Sequence, residues 1–425
     1  MIEAKNPYYI RLEKFDDGER MPFLMSSASR MPIQSAAFWI IGCRRSGGLQ
    51  SKTLENDLRA LMFLFLWADL RKVDISERIS TGRFFSLTEI MDIDSVCGWF
   101  VRELVTDLAL ARAKVARISS KRLRRAASFN EKFNRLTAIH SFLDFTSAEV
   151  VSALRLKEEA WGGYDKVRED CLKRLMTYRD GLIRPESDDD GAPQGLEDPY
   201  EKRLREVIEP DCKDNPFTKK VRFRNYVIVK MLLDLGIRVG ELLGILTTDC
   251  ALGSDGLVTI HRRPDNKNDP RKRPGAAKTL ARTLGLSPRL AEIIHEWIVV
   301  HRPKINMKDK DRLFLIIDVF NGAPLTHSAI NKMFAKLREK VGGLPAQLTP
   351  HVMRHTANDN FTEFMDKKQV PETKQVKLRK RAFGWRSENS AETYLRRSTT
   401  RKSNEYLKGM QSELDIKHGR KDDNE

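Results

Sequence analysis

The chain is short of the residues that staple a fold together or hold a metal. Only five of its 425 residues are cysteine: Cys43, Cys97, Cys171, Cys212 and Cys250. They are odd in number, scattered, and form no C-x-x-C pair. That argues against a disulfide framework or a cysteine zinc site and fits a reducing compartment. A long apolar run is also missing. The longest, "ALMFLFLW" from Ala60 to Trp67, has Arg59 before it and Asp69 soon after it. It falls far short of the roughly 20 residues a membrane span needs and reads as one buried helix, so no membrane partner is expected. The N-terminus shows no secretory signal, and no phosphate loop of the form G-x-x-x-x-G-K-[ST] occurs. Acidic residues are outnumbered: 59 Asp and Glu stand against 76 Lys and Arg, a net charge of +17. This imbalance points to a polyanionic partner, with nucleic acid first among candidates. A merely basic, solvated surface is the competing explanation.

Apolar residues are plentiful, at 40% of the chain, and the length suits two or three domains. Residues 1–50 mix apolar and Gly/Ser-rich pieces without a period and are taken as an N-terminal extension of unknown form. From 51 to 183 the period is helical. Leu54, Leu58, Leu61 and Phe65 share one face, after a cap expected at Thr53. A second helix is expected to start near Ser86 and Asp94 and to run through "CGWFVRELVTDLALARA". A third carries Phe129, Phe133, Leu136, His140 and Leu143, where His140 is expected to be packed or half-exposed rather than a ligand. Between the last two lies "ARAKVARISSKRLRRAASFNEK" (111–132). Its Arg112, Lys114, Arg117, Lys121, Arg122, Arg124 and Arg125 are candidates for tracking DNA phosphates, the alternative being a solvated helix face.

Residues 184–200, "RPESDDDGAPQGLEDPY", are acidic and rich in Pro and Gly and read as a linker. A second domain then spans 201–410, followed by a charged tail over 411–425. The second domain opens with a helix expected to be capped at Asn215, with Pro216 in its first position. Gly236 turns the chain into a short helix, "IRVGELLGI". "GLVTIHRR" (256–263) and "AAKTLARTLGLS" (276–287) read as paired strands around a basic, proline-punctuated loop. Ser287-Pro288 and Thr349-Pro350 start two further helices, and "RLFLII" reads as one more strand. The fold class expected is mainly α with a small antiparallel β-sheet. No internal repeat is visible.

Taken one at a time, the chemically suggestive residues say little. "HVMRH" places His351, Arg354 and His355 within about one helical turn. The zinc-protease pattern needs a glutamate after the first histidine, where this chain has Val352, so no metal site is expected. A histidine and an arginine at a helix N-terminus make a seat for a phosphate instead. Arg238 can add a second guanidinium, or be a surface residue paired to Glu241. His355 is expected to face away from His351 and is assigned no chemistry. "FGWRSENSAETYLRR" holds Trp385 and, nine residues on, Tyr394. Alone, these two read as ordinary core aromatics.

In series the motifs are specific. "LDLGIRVGELLGI", "LTPHVMRHT" and "FGWRSENSAETY", in this order, resemble the signature blocks of the tyrosine recombinases, the phage-integrase family of DNA-breaking-and-rejoining enzymes. The resemblance covers roughly residues 200–400. It implies a helical core-binding domain followed by an α+β catalytic domain. It also implies a catalytic set of Arg238, Lys278, His351, Arg354, Trp385 and the nucleophile Tyr394, with Glu241 as the glutamate of the first block. Lys267 and Lys272 are rivals to Lys278 as the hairpin lysine. Two departures stand out. Gly285-Leu286 occupies the place where the family often has proline, and the stretch before Trp385 carries a basic insert, "KKQVPETKQVKLRKR".

The activity implied is cutting and rejoining of double-stranded DNA through a 3′-phosphotyrosyl intermediate, with no metal or nucleotide cofactor. The implied setting is a synaptic homotetramer on DNA in the bacterial cytoplasm, associated with the nucleoid when bound, with element-encoded accessory proteins possible. A type IB-like topoisomerase is the alternative with the same chemistry. A non-catalytic DNA-binding accessory protein is the alternative without it.

Overall fold

The computed structural model describes residues 5–113, 126–154, 158–184, 195–253, 256–275, 279–306, 313–386, 403–404 and 406–416. The chain divides into two compact units, residues 1–186 and 187–425.

The first unit begins with a hairpin. Strands β1 (Tyr8–Lys14) and β2 (Arg20–Ser26) pair antiparallel, with Tyr8 opposite Ser26 and Lys14 opposite Arg20. The first fifty residues thus carry a strand pair, a short helix α1 (Gln34–Trp39) and a π-helical turn, Ile40–Arg45. Their apolar residues Leu24, Trp39 and Ile40 are buried in the core of the unit.

Helix α2 (Ser51–Arg71) is that core's central member. Leu54, Leu58 and Leu61 are fully buried, as their spacing requires, and each such side chain contributes about 1.5–3 kcal/mol. The helix starts at Ser51 after Gln50, so Thr53 lies inside its first turn and is not the cap. Helix α3 (Ile75–Thr81) follows, capped by Asp74. The single helix expected from Ser86 onward is two: α4 (Leu87–Cys97) and α5 (Val101–Arg112). Ser86 and Glu89 form a reciprocal capping box at the start of α4. The break at Gly98-Trp99-Phe100 is held by Arg135, whose Nη1 donates to the carbonyls of Cys97 at 2.8 Å and Trp99 at 2.7 Å. The guanidinium also lies 3.8 Å over the Phe63 ring. Helix α6 (Phe129–Leu154) supplies Arg135 and buries Leu136, Phe142 and Leu143. His140 is half-buried on it, and burial lowers its pKa. Helix α7 (Glu158–Asp180) pairs with α6 along its length.

In the second unit, α8 (Asp198–Val207) starts inside the stretch expected to be linker. Asn215 is not a helix cap. It is buried, its Oδ1 accepts from the Phe217 N–H at 3.1 Å, and its Nδ2 donates back to the carbonyls of Ile208 and Glu209. Thr218 precedes the actual helix, α9 (Lys219–Leu235), which ends at Gly236 with φ +59°. Helix α10 (Val239–Gly244) follows. A three-stranded antiparallel sheet then forms from β3 (Cys250–Ala251), β4 (Leu257–Ile260) and β5 (Arg282–Gly285), with β4 in the middle.

Helix α11 (Pro288–Glu296) is capped by Ser287, α12 (His327–Lys340) by Thr326, and α13 (Pro350–Lys367) by Thr349. Helix α14 (Glu372–Phe383) occupies the basic insert and ends at Gly384. "RLFLII" is not a strand in a ladder. Phe314 to Ile317 are fully buried, and two isolated bridges, Leu246 to Phe314 and Ile317 to Pro324, flank them. Side chains complete the backbone bonding: Trp297 Nε1 donates to the Leu315 carbonyl at 2.9 Å and Arg302 Nη2 to that of Phe314 at 2.8 Å. Residues 406–416 are helical, past the point where a charged tail was expected to begin.

All five cysteines are free. Burial pushes the thiols of Cys97 and Cys250 up to about 12 and that of Cys171 to about 11, which makes them inert at neutral pH. Among the described residues, no helix is long and apolar enough to cross a membrane.

Candidate active site

Three segments far apart in sequence converge in the second unit: the turn between α9 and α10, the first turns of α13, and the end of α14. The turn must be tight. A Cβ on Gly236 would stand 2.5 Å from Phe383 Cε1 and 2.9 Å from the Ala357 Cβ, and its left-handed φ favours glycine in any case. Arg238 follows as the residue preceding α10. Its N–H donates to Glu241 Oε2 at 3.0 Å, a bond that closes the first turn.

Thr349 Oγ1 accepts from the Val352 N–H at 3.3 Å and Pro350 opens α13, so the helix places His351 on its first turn. Arg354, one turn on, is buried. Its Nη1 donates to the Gly236 carbonyl at 2.7 Å and its Nη2 to the Phe383 carbonyl at 2.8 Å. The guanidinium also lies over the Phe383 and Trp385 rings, 5.2 and 5.8 Å from their centroids. Those rings stack on each other at 5.4 Å. One arginine therefore holds all three segments together.

His351 lies at the outer edge of this cluster. Partial burial, then the charges of Arg354 and Arg238, hold its imidazole below the ordinary histidine range. Its ring meets that of His355 edge-on at 4.5 Å, so His355, expected to face away, is its buried neighbour. Among the described residues no group of three or more His, Cys, Asp or Glu converges as a metal site.

Glu241 does not serve mainly as the partner of the Arg238 side chain, whose Nη1 is 3.8 Å from Oε1. It is buried and paired at 3.0 Å with the buried Arg282 of β5, and Thr279 Oγ1 also donates to it. Burial alone would raise the Glu241 carboxyl. Arg282, Thr279 and the Arg238 N–H outweigh it and hold the group below the usual carboxylate range.

A model of the phage integrase family matches residues 202–401. That part of the chain belongs to the phage integrase family. A curated relative, "Tyrosine recombinase XerC" of Bacillus pumilus (strain SAFR-032), is 26% identical over 175 residues. The match takes in 41% of this chain and 51% of the relative, so the chain spans about half the relative's length. Similar solved structures include a Tn1549 transposon integrase in complex with circular intermediate DNA, at 14% identity and TM-score 0.49, covering 85% of this chain and 94% of that one. A XerH site-specific recombinase bound to difH substrate matches at 16% identity and TM-score 0.40, covering 80% and 93%.

Within this integrase-family part, Arg238, His351, Arg354 and Trp385 fall into one neighbourhood. Tyr394 and Lys278 lie outside the described residues, as do Lys114, Arg117, Lys121, Arg122, Arg124 and Arg125 in the first unit. Arg112 is described and exposed, but it pairs with Asp69 at 3.1 Å, where Tyr8 also bonds. The rival lysines Lys267 and Lys272 are both exposed. Their loop is pinned by Arg271, buried between them, which pairs with Asp269 and donates to the carbonyls of Leu325 at 2.7 Å and Leu243 at 2.9 Å.

Sequence reasoning missed Arg271, Arg282 and Arg379 as buried residues. Arg379 of α14 donates to Thr362 Oγ1 at 2.7 Å and Asn358 Oδ1 at 3.3 Å, so the basic insert is partly a packing helix. One signal was available: Arg379 and Gln375 are four apart, on the same helix face as Phe383.

Proposed function

We propose that the protein is a site-specific DNA recombinase, the integrase or transposase of a mobile element. It cuts and rejoins duplex DNA through a 3′-phosphotyrosyl intermediate. The observation that carries this reading is the pair of hydrogen bonds that Arg354 donates to the carbonyls of Gly236 and Phe383. It brings the Arg238 turn, the His351 turn and Trp385 to one place, where a phosphate would meet two guanidinium groups.

In the proposed reaction the Tyr394 hydroxyl oxygen attacks the scissile phosphorus. A tyrosine has an ordinary pKa of about 10, so it needs positive surroundings or a base to act at neutral pH. Arg238 and Arg354 supply the charge and hold the non-bridging oxygens, most strongly in the five-coordinate transition state. His351, whose imidazole is held below the ordinary histidine range by partial burial and then by Arg354 and Arg238, can take the tyrosine proton. The P–O bond to the 5′-oxygen breaks as the P–O bond to tyrosine forms. Lys278, or Lys267 or Lys272 in its place, protonates the departing oxygen. Trp385 walls the site with its stacked ring. One ester replaces another, so the reverse reaction by a 5′-hydroxyl rejoins the strand without a nucleotide or metal cofactor.

The first unit would be the core-binding domain. Its basic stretch would then help close the protein around DNA, with a salt-sensitive affinity. Helix 406–416 exposes Leu407, Met410 and Leu414 at helical spacing, which supports contact between protomers in a synaptic homotetramer. Accessory proteins of the element and a place on the bacterial nucleoid belong to the same reading.

Purified protein on supercoiled plasmid tests it. Strand exchange that needs two specific sites is expected, and relaxation of any sequence by monomer would favour a type IB-like topoisomerase. Tyr394→Phe should bind DNA and form no covalent adduct on a nicked substrate. An adduct with that variant, through Tyr406 for example, would remove Tyr394 from its role.

A further inference from the structure

One buried pair, between Glu241 of the first signature block and Arg282 outside the blocks, joins two parts of the site. Arg282 and Glu241 are both essentially free of solvent exposure and meet at 3.0 Å. Glu241 reaches forward to the Arg238 N–H at 3.0 Å. Arg282 reaches the other way, its Nε donating to the Ala382 carbonyl at 2.8 Å, three residues before Trp385. The chain beside Arg282 makes a parallel tie, the Leu280 N–H donating to the Gly384 carbonyl at 3.1 Å. Thr279 completes the cluster, since Arg282 Nη1 also donates to its Oγ1 at 2.9 Å. The fit is close: a Cβ on Gly384 would stand 2.7 Å from Arg282 Nη1.

We infer that Arg282 is a positioning residue, which sets the Arg238 turn at a fixed place relative to the Trp385 segment by gripping Glu241 and Ala382 at once. The inference rests on the recombinase reading and deepens it. A planar guanidinium suits the task, because its fork presents separate N–H groups to a carboxylate and a carbonyl in fixed directions. A lysine has one ammonium and cannot span both. The strongest consequence is for the phosphate clamp. If Arg238 is displaced, the loss falls on the charge that its guanidinium would neutralise.

The test uses full-length protein and a nicked substrate whose scissile linkage is either an ordinary phosphate or a neutral methylphosphonate. Binding is read by gel shift and adduct formation on a denaturing gel. Arg282→Lys and the double variant Glu241→Gln with Arg282→Gln are compared with wild type. The double variant removes both buried charges together, so neither is left stranded. Unfolding midpoints establish that each is folded. On the phosphate linkage, adduct formation should fall roughly 100-fold with DNA binding retained, the scale of loss that a small displacement of a catalytic group produces. On the methylphosphonate, which presents one charged oxygen fewer to the clamp, the deficit should shrink to under about tenfold.

An equal deficit on both linkages would overturn the inference and leave Arg282 a fold-stabilising residue only. Wild-type rates in the folded double variant would also overturn it. Absence of any adduct with wild-type protein would instead count against the recombinase reading itself.

Discussion

Arg354 and Gly236 are joined by one hydrogen bond of 2.7 Å, from a buried guanidinium to the carbonyl of a left-handed glycine. The residue that would clamp a phosphate is thus also the residue that fixes where Arg238 leaves α9. Placement of the first arginine and burial of the second are one structural event. Damage to either end should show up at the other.

Arg354→Lys tests this on stability alone. A lysine ammonium cannot serve both Gly236 and Phe383, so one buried carbonyl loses its donor. That costs about 1–3 kcal/mol. Urea unfolding without DNA should show a lower midpoint for the variant. An unchanged midpoint would mean that water replaces the missing donor and that Arg354 does not hold the segments together.

Gly236→Ala should destabilise by about 1–3 kcal/mol through its positive φ, with a further penalty from contact with Phe383. Gly285→Ala is the control. It stands on β5, and a Cβ there meets nothing within 4 Å. Its effect should stay within about 0.5 kcal/mol. Equal melting shifts for the two variants would contradict the close packing of the Gly236 turn.

His351 gives a pH dependence of known sign. Its imidazole is held below the ordinary range in the folded protein, by partial burial and then by Arg354 and Arg238. The unfolded chain therefore takes up the proton first as pH falls. Its contribution to stability is complete above the unfolded value of about 6.5 and is lost as pH falls through the folded value. The difference in unfolding midpoint between wild type and His351→Gln, followed from pH 7.5 downward, isolates this group from His140, which shifts in the same direction. A difference that does not vary with pH would show that neither burial nor the two arginines depress the imidazole.

Gly195 and Leu196 rest directly on α13. The Leu196 N–H donates to Thr356 Oγ1 at 2.8 Å, and the Gly195 N–H to Asp359 Oδ2 at 3.2 Å. A Cβ on Gly195 would stand 2.7 Å from the Thr356 N and Cα. Gly195→Val should lift this strand of chain away and lose about 0.5–1.5 kcal/mol per bond. Hydrogen exchange at the Leu196 amide should quicken by about tenfold. Retained protection would show that the segment sits on α13 by other contacts.

Much of this architecture is legible in the sequence where its cause is local. Ser86 with Glu89, Ser287 with Pro288, and Thr349 with Pro350 each start a helix through bonds that span three residues, so the residues that decide them are neighbours in the text. The spacing of Leu54, Leu58 and Leu61 shows one buried face for the same reason. The order of Arg238, His351, Arg354, Trp385 and Tyr394 was readable as a pattern of residue types.

What tertiary structure alone decided is which polar groups answer each other across long loops. Arg282 meets Glu241 across 41 positions, Arg354 meets Gly236 across 118, and Arg135 bridges a helix break 36 to 38 positions away. Arginines 271, 282, 354 and 379 look in sequence like four more charges of a basic chain, yet all four are buried. "RLFLII" looks like a strand because its composition is right, but isolated bridges together with the side chains of Trp297 and Arg302 take the place of a ladder. The sequence by itself determined where the helices capped by Ser86, Ser287 and Thr349 begin, which faces are apolar and which residue types recur in family order. The partner of each buried charge was settled only when the folded chain closed those long loops, because a guanidinium can be desolvated only where carboxylates and carbonyls are already in place to receive it.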